Sequence, residues 1–248
     1  ADLTTILKHR LPFHARVRIE THESDWAVAA LPIPILRHNG WIDLEVFQII
    51  VLAVVQGIAE FLPISSSGHL VILGALLGEL SESPTLEIIL HAGTLGSILV
   101  VFWGRIVKLL RSDIRVVPLL IVGTIPAAVV GVTIKIAFPH LIRSPLLAGA
   151  MLVVTGLMLI LLGRLQPRDG DYRTLSWLGA FLVGCFQAFA ILPGISRSGS
   201  TILGGRLMGL KNEDSVTFSF LLAIPAILGA TVLTLRDLWE NHQAGLPV

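Results

Sequence analysis

The sequence predicts an all-α integral membrane protein: a polytopic helix bundle with two re-entrant broken-helix pairs in an inverted repeat. Three observations carry this prediction. Only 14% of the 248 residues are charged and 54% are apolar, against about 25% charged in an ordinary soluble domain. So few charges cannot cover the surface of a soluble protein of this size. From Leu44 onward the chain is a succession of long apolar runs, and two of them are interrupted by Pro, Gly and hydroxyl residues in matching order. The same composition excludes disorder, which needs low hydrophobicity and high charge. A net charge of +1 offers no basic stripe, so no nucleic-acid partner is expected. The single Cys185 excludes an intramolecular disulfide framework.

The elements follow in order. Residues 1–40 mix five basic side chains (Lys8, Arg10, Arg16, Arg18, Arg37) with four acidic ones (Asp2, Glu20, Glu23, Asp25). Their longest apolar run, Trp26–Leu36, is broken by Pro32 and Pro34 and makes a poor secretory core. Residues 1–42 are therefore read as an extension outside the membrane core, with the membrane domain over 43–248. A crossing helix needs about 20 mostly apolar residues. Leu86–Trp103, Val116–Phe138, Leu146–Leu162 and Val216–Leu235 meet that need. Leu44–Leu62 instead ends at Pro63 and Ser65-Ser66-Ser67-Gly68-His69, then resumes over Leu70–Leu77. Leu175–Leu192 ends at Pro193 and Ser196–Thr201, then resumes over Leu203–Leu210. Irregular backbone at membrane depth survives only where protein or a wet cavity satisfies it, so both regions read as re-entrant pairs. Ile64–Gly68 aligns with Ile195–Gly199 at an offset of 131 residues (195 − 64), and the offset persists to Leu76/Leu207 and Gly78/Gly209. Two such breaks meeting near the midplane are expected of an inverted repeat; similarity between Ser/Gly-rich breaks by chance is the alternative.

Lys and Arg set the orientation. Segments 105–115, 164–173 and 206–214 carry nine of them, whereas the opposite side carries Lys135, Arg143 and Arg236 beside the acidic Glu79, Glu82 and Glu87. The first side is expected to be cytoplasmic. The first broken helix then enters from outside and the second from inside. Residues 1–40 fall outside against the trend of their charge, although long flanks weigh little in this rule.

The polar residues at membrane depth carry the chemistry. Gln56 and Glu60 stand four apart on one helix face, three residues before the first break. A carboxylate there is expensive and marks a functional site by default; a structural acid paired with a polar neighbour is the alternative. Their oxygens suit Mg²⁺ or Ca²⁺. Ser65, Ser66 and Ser67 could act as nucleophile or anion cradle, or simply cap a helix. His69 lies four residues into the break and suits proton transfer. Arg197 sits between Ser196 and Ser198, flanked by Gly194 and Gly199; its fork suits phosphate or carboxylate. A buried Glu60–Arg197 structural pair is again the bland alternative. His91, Trp103 and Trp177 are read as helix-end or interface residues. A cation-binding acid, hydroxyls, an imidazole and an arginine beside a glycine-rich turn together suit phosphoryl transfer on a lipid phosphate.

The run QGIAEFLPISSSGH (Gln56–His69) resembles the (E/Q)xxxE motif and following serine-glycine-histidine segment of the undecaprenyl-pyrophosphate phosphatases, the bacitracin-resistance family. LPGISRSGST (Leu192–Thr201) resembles that family's PGxSRSxxT motif. The resemblance spans about residues 42–245. It implies a phosphatase of the bacterial inner membrane, with its site open to the periplasm. Such enzymes convert undecaprenyl pyrophosphate to the monophosphate, dependent on a divalent cation, and so recycle the carrier for cell-wall synthesis. By motif position, Glu60 and Gln56 would serve metal and diphosphate, Ser66 would be the nucleophile with Ser65 adjacent, His69 the base or acid, and Arg197 the phosphate clamp. Ser67, Gly194, Ser196, Ser198 and Thr201 would line the substrate. The implied partners are a polyprenyl pyrophosphate and membrane lipids, with a homodimer left open. Residues 1–40 have no counterpart in the family. Its members are expected to continue past Val248 with about two further helices of spanning length. An inverted-repeat lipid transporter or flippase, and an inactive truncated member, remain the competing readings.

Overall fold

The computed structural model describes residues 41–77, 84–142 and 144–243, and the fold below is that of the compact unit Ile42–Val248. The expected extension over 1–40, and the expectations placed on Gly78, Glu79, Glu82 and Arg143, lie outside the described residues. Among the described residues the unit is all helix. In chain order it has α1 (Trp41–Phe61), α2 (Ser66–Leu77), α3 (Pro84–Val101), α4 (Trp103–Arg111), α5 (Val116–Ala137), α6 (Pro139–Ile142), α7 (Pro145–Arg164), α8 (Trp177–Phe189), α9 (Arg197–Leu207) and α10 (Asn212–Gln243). A 3₁₀ turn, Tyr172–Thr174, precedes α8. Helices α5, α7 and the Asn212–Arg236 part of α10 are long and apolar enough to cross a membrane. The chain is a multi-pass membrane protein.

Local chemistry explains the boundaries. Ser144 caps α7, its hydroxyl accepting from the Leu147 N–H at 3.3 Å, with Pro145 at the first helical position. Ser176 caps α8 through the Gly179 N–H at 3.0 Å. The crossing expected over Leu86–Trp103 instead ends at Val101. Phe102 leaves helical geometry and packs on Phe220 at 5.0 Å, and the chain turns by 68° into α4. The expected loop over 105–115 is thus helical to Arg111. Helix α4 buries Leu109 and carries Arg105, Lys108 and Arg111, the pattern of a helix lying along a membrane interface.

Both broken pairs are present, but the polar runs fall mostly inside the helices that follow the irregular stretches. The irregular stretches cover 62–65 and 190–196, and Ser66 and Arg197 already begin α2 and α9. The reason is capping. Ser65 Oγ accepts from the Gly68 N–H at 3.3 Å, and Ser196 Oγ accepts from the Gly199 N–H at 3.1 Å. The hydroxyl runs are therefore helix N-termini, not loops. Helices α5 and α8 cross closely enough that a Cβ on Gly184 would fall 2.3 Å from the Gly123 carbonyl oxygen. Behind the first break, Phe61 packs on Phe220, which joins Leu95, Ile98, Ala223 and Ile227 in one apolar cluster. This cluster fixes the end of α1, where Glu60 sits.

Candidate active site

The two breaks are held against each other by backbone contact. A Cβ on Gly68 would lie 2.7 Å from Gly194 Cα. Gly194 has φ +93°, and its own Cβ would lie 2.2 Å from the Ala148 carbonyl oxygen. Only glycine meets both demands at 194. Thr155, a lone hydroxyl in the apolar α7, donates to the Gly194 carbonyl at 2.7 Å and accepts from the Ser196 N–H at 3.0 Å. Ser198 Oγ donates to the Leu62 carbonyl at 3.3 Å, linking the second break to the first. Ser65 is the one non-glycine residue with positive φ among the described residues, at +68°. Such strain persists where the surroundings over-determine it, and it clusters at functional sites.

This contact assembles a polar chain across the repeat. Glu60 Oε1 pairs with Arg197 Nη2, joining residues 137 apart in sequence. Glu60 Oε2 accepts from Gln56 Nε2 at 3.0 Å and from Ser66 Oγ. The Glu60 side chain is 8% exposed and that of Arg197 22%. A buried pair of this kind is weak evidence for stability, because desolvation offsets the attraction. Its value lies in holding a hydroxyl, a carboxylate and a guanidinium in one place.

A cavity of about 140 Å³ opens on this chain. Glu60, Ser65, Ser66, Ser67, Ser196, Arg197 and Ser198 line it, and His91 joins them from α3. A second cavity of about 930 Å³ runs between α5, α8 and α10. It shares His91, Ala190 and Arg197 with the first and reaches Lys135 and His140. Four residues expected at the site stand behind the lining. Gln56 is buried and holds Glu60. Gly194 sets the turn. Thr201 donates to the Arg197 carbonyl at 2.9 Å and bonds Ser219 within the core. His69 donates from Nδ1 to the Ser65 carbonyl at 2.6 Å, since a carbonyl can only accept.

Three residues escape the sequence reading. His91, expected at a helix end or interface, lies inside α3 and faces both cavities. Thr155 clasps the second break, and its signal was a single hydroxyl in an otherwise apolar helix. Gln187, near the end of α8, lines the larger cavity. Trp103 and Trp177 do stand exposed at the starts of α4 and α8.

Residues 49–246 match the family described as bacitracin resistance protein BacA. The chain belongs to that family. It is 73% identical over 201 residues to an undecaprenyl-diphosphatase of Rhodopirellula baltica, covering 81% of this chain and 78% of the relative. An undecaprenyl-diphosphatase of Halothermothrix orenii is 40% identical over 197 residues, covering 78% and 76%. One of Carboxydothermus hydrogenoformans is 42% identical over 197 residues, covering 79% and 76%. The family match includes both breaks of this BacA-family chain, and with them Glu60, Ser66, His91 and Arg197.

Proposed function

We propose that this chain hydrolyses undecaprenyl diphosphate to undecaprenyl phosphate and inorganic phosphate, recycling the lipid carrier for cell-wall synthesis. The observation that carries this reading is the continuous link Ser66–Glu60–Arg197 at the wall of a cavity. In this reading Ser66 Oγ attacks the terminal phosphorus and its proton passes to Glu60 Oε2. The bridging P–O bond breaks, and undecaprenyl phosphate leaves. Water then cleaves the phosphoserine, giving inorganic phosphate and restoring the serine hydroxyl. Arg197 neutralises charge on the equatorial oxygens, where phosphoryl transfer draws most of its catalysis. Ser196 also lines this cavity, beside Ser198, whose hydroxyl proton is held by the Leu62 carbonyl.

The donor set fits a divalent cation in part. Glu60 supplies one carboxylate, and the buried Gln56 Oε1 beside it has no hydrogen-bond partner. Among the described residues no three His, Cys, Asp or Glu side chains converge as a metal site. Glu60 and Gln56 would therefore hold Mg²⁺ or Ca²⁺ jointly with diphosphate oxygens, as Mg²⁺ commonly binds. Such a cation supplies charge neutralisation of the diphosphate when bound.

We place the enzyme in the bacterial inner membrane with its site open to the periplasm. What supports this is the larger cavity, which extends to Lys135, Pro139 and His140, on the side poor in Lys and Arg. The transporter reading is not favoured: the relatives bear diphosphatase names, and the cavity holds a nucleophile, a carboxylate and a guanidinium in contact. Phosphate release from farnesyl or undecaprenyl diphosphate in detergent, with and without chelator, tests the proposal. Arg197→Ala and Glu60→Ala should each lower kcat/KM by about a thousandfold or more, the scale of removing a phosphate-stabilising arginine. Full activity in both variants would overturn the assignment.

A further inference from the structure

The two cavities meet at His91, Ala190 and Arg197, and their volumes differ greatly. The smaller, at about 140 Å³, has room for a phosphoryl group but not for an isoprenoid chain. The larger, at about 930 Å³, is lined mainly by Ala, Gly, Val, Ile and Leu. A lipid diphosphate with its terminal phosphorus at Ser66 must place its second, lipid-linked phosphate where the cavities join. Two side chains besides Arg197 lie at or next to this junction. His91 lines both cavities. Gln187, one turn before Ala190 on α8, lines the larger one; it is 2% exposed, and neither its Oε1 nor its Nε2 has a hydrogen-bond partner. Buried amides are ordinarily satisfied, so an orphaned one asks for a ligand.

The neighbours of Gln187 along its helix explain why this amide is unengaged. Gln56 stands seven residues before Pro63, whereas Gln187 stands six before Pro193, so the two glutamines face different neighbours. Gln56 engages its amide N–H with Glu60, four residues on. The residue four beyond Gln187 is Ile191, which has nothing to accept. Gln187 therefore keeps its donor for something that enters the cavity.

We infer that His91 and Gln187, with Arg197, form the subsite for the lipid-linked phosphate, and so select a diphosphate ester over a bare phosphate. This rests on the diphosphatase reading above. The test compares wild type with Gln187→Leu, Gln187→Glu, His91→Leu and His91→Gln in detergent. Two readouts are used: phosphate release from farnesyl diphosphate, and binding of farnesyl monophosphate against inorganic phosphate by thermal shift. Gln187→Leu and His91→Leu should each raise KM and weaken farnesyl monophosphate by about tenfold, the worth of one hydrogen bond to a charged group. Inorganic phosphate, which fits the smaller cavity, should bind them as it binds wild type. Gln187→Glu should do worse than Leu, by repulsion, and His91→Gln should recover most of the loss by keeping a donor.

Gln187→Leu should also melt no lower than wild type, because it removes an unsatisfied amide. A lower melting temperature would show a structural amide and overturn the inference, as would unchanged KM and monophosphate binding in both leucine variants. Wild type that releases no phosphate yet binds farnesyl monophosphate through these residues would overturn the hydrolytic reading and leave the subsite standing.

Discussion

The two breaks are built on one plan and differ in what they contribute. Each ends an apolar helix, turns, and starts a short helix on a serine whose hydroxyl accepts the N–H three residues on, at 3.3 Å in the first and 3.1 Å in the second. The first contributes the carboxylate and a hydroxyl donating to it. The second contributes the guanidinium, and it is the more deeply enclosed: Pro193, Gly194, Ile195 and Ser196 are all buried. Its turn is set by a glycine at φ +93°, whereas the first places Ser65 at φ +68°. The contrast teaches how an internal repeat can make an asymmetric site. The carboxylate near the end of α1 and the guanidinium at the start of α9 hold different positions in the two copies, and each offsets the other's cost.

The largest expected effect comes from filling the seam between the turns. Gly194→Ala must adopt a disfavoured φ and drive a methyl into the Ala148 carbonyl. Strain and overpacking of this kind cost about 3 kcal/mol or more together. Gly68→Ala meets Gly194 Cα at 2.7 Å without a positive φ, so overpacking alone costs about 1–3 kcal/mol. Thermal unfolding in detergent should rank Gly194→Ala below Gly68→Ala. Equal melting temperatures would show that the second turn is no more constrained than the first.

Next comes the charge pair itself. Removing Arg197 leaves the buried Glu60 without its cation and costs about 3 kcal/mol, and removing Glu60 costs less because Arg197 is partly exposed. The Glu60→Leu/Arg197→Leu double variant, with neither charge, should be more stable than either single variant, because coupled partners are non-additive. It should also be inactive. A double variant whose destabilisation equals the sum of the singles would break the pairing seen between the two turns.

How much of this was legible in the sequence depends on range. The broken pairs were visible because Pro63, Pro193 and the Ser/Gly runs interrupt apolar segments, and membrane crossings leave few other reasons for such interruptions. Glu60 and Arg197 were visible because charge in an apolar run is costly. The bend at Phe102 was not, because an aromatic packing on Phe220, over a hundred residues away, leaves no local mark. His91 and Gln187 were hidden for a related reason. Gln187 is the one amide in an apolar helix and His91 shares its helix with Glu87, Thr94 and Ser97, so only packing decides which cavity each meets. Helix capping, one of the two readings open for the first hydroxyl run, is the role Ser65 takes, and Ser196 takes it in the second.

A subtler effect separates the two capping serines. Ser196 holds φ −70°, an ordinary value, while Ser65 holds +68°. Glycine at 65 forfeits the cap but removes the left-handed penalty; glycine at 196 forfeits the cap and relieves nothing. The two substitutions should differ by about 1–2 kcal/mol, with Ser65→Gly the milder. Matched melting temperatures for the pair would show that the Ser65 turn carries no strain.

The smallest effect is expected at an ion pair outside the breaks. Asp171, in the loop before α8, accepts from the Arg173 side chain and from its backbone N–H at 2.8 Å. The side-chain hydrogen bond from Arg173 comes first in holding the Asp171 carboxyl down to about 2, and burial works against it. The folded value thus lies below the unfolded value of about 3.9. Its contribution to stability is complete above pH 4, fades as the pH falls towards 2, and is absent below that. Both side chains are largely open to solvent, 28% and 45% exposed, so screening leaves the pair little weight. Asp171→Asn should shift the midpoint of thermal unfolding by no more than about 2 °C at neutral pH, and flatten what acid dependence remains between pH 4 and 2. A shift as large as that of Glu60→Leu would mean that exposure, which most separates these two ion pairs, does not set their worth.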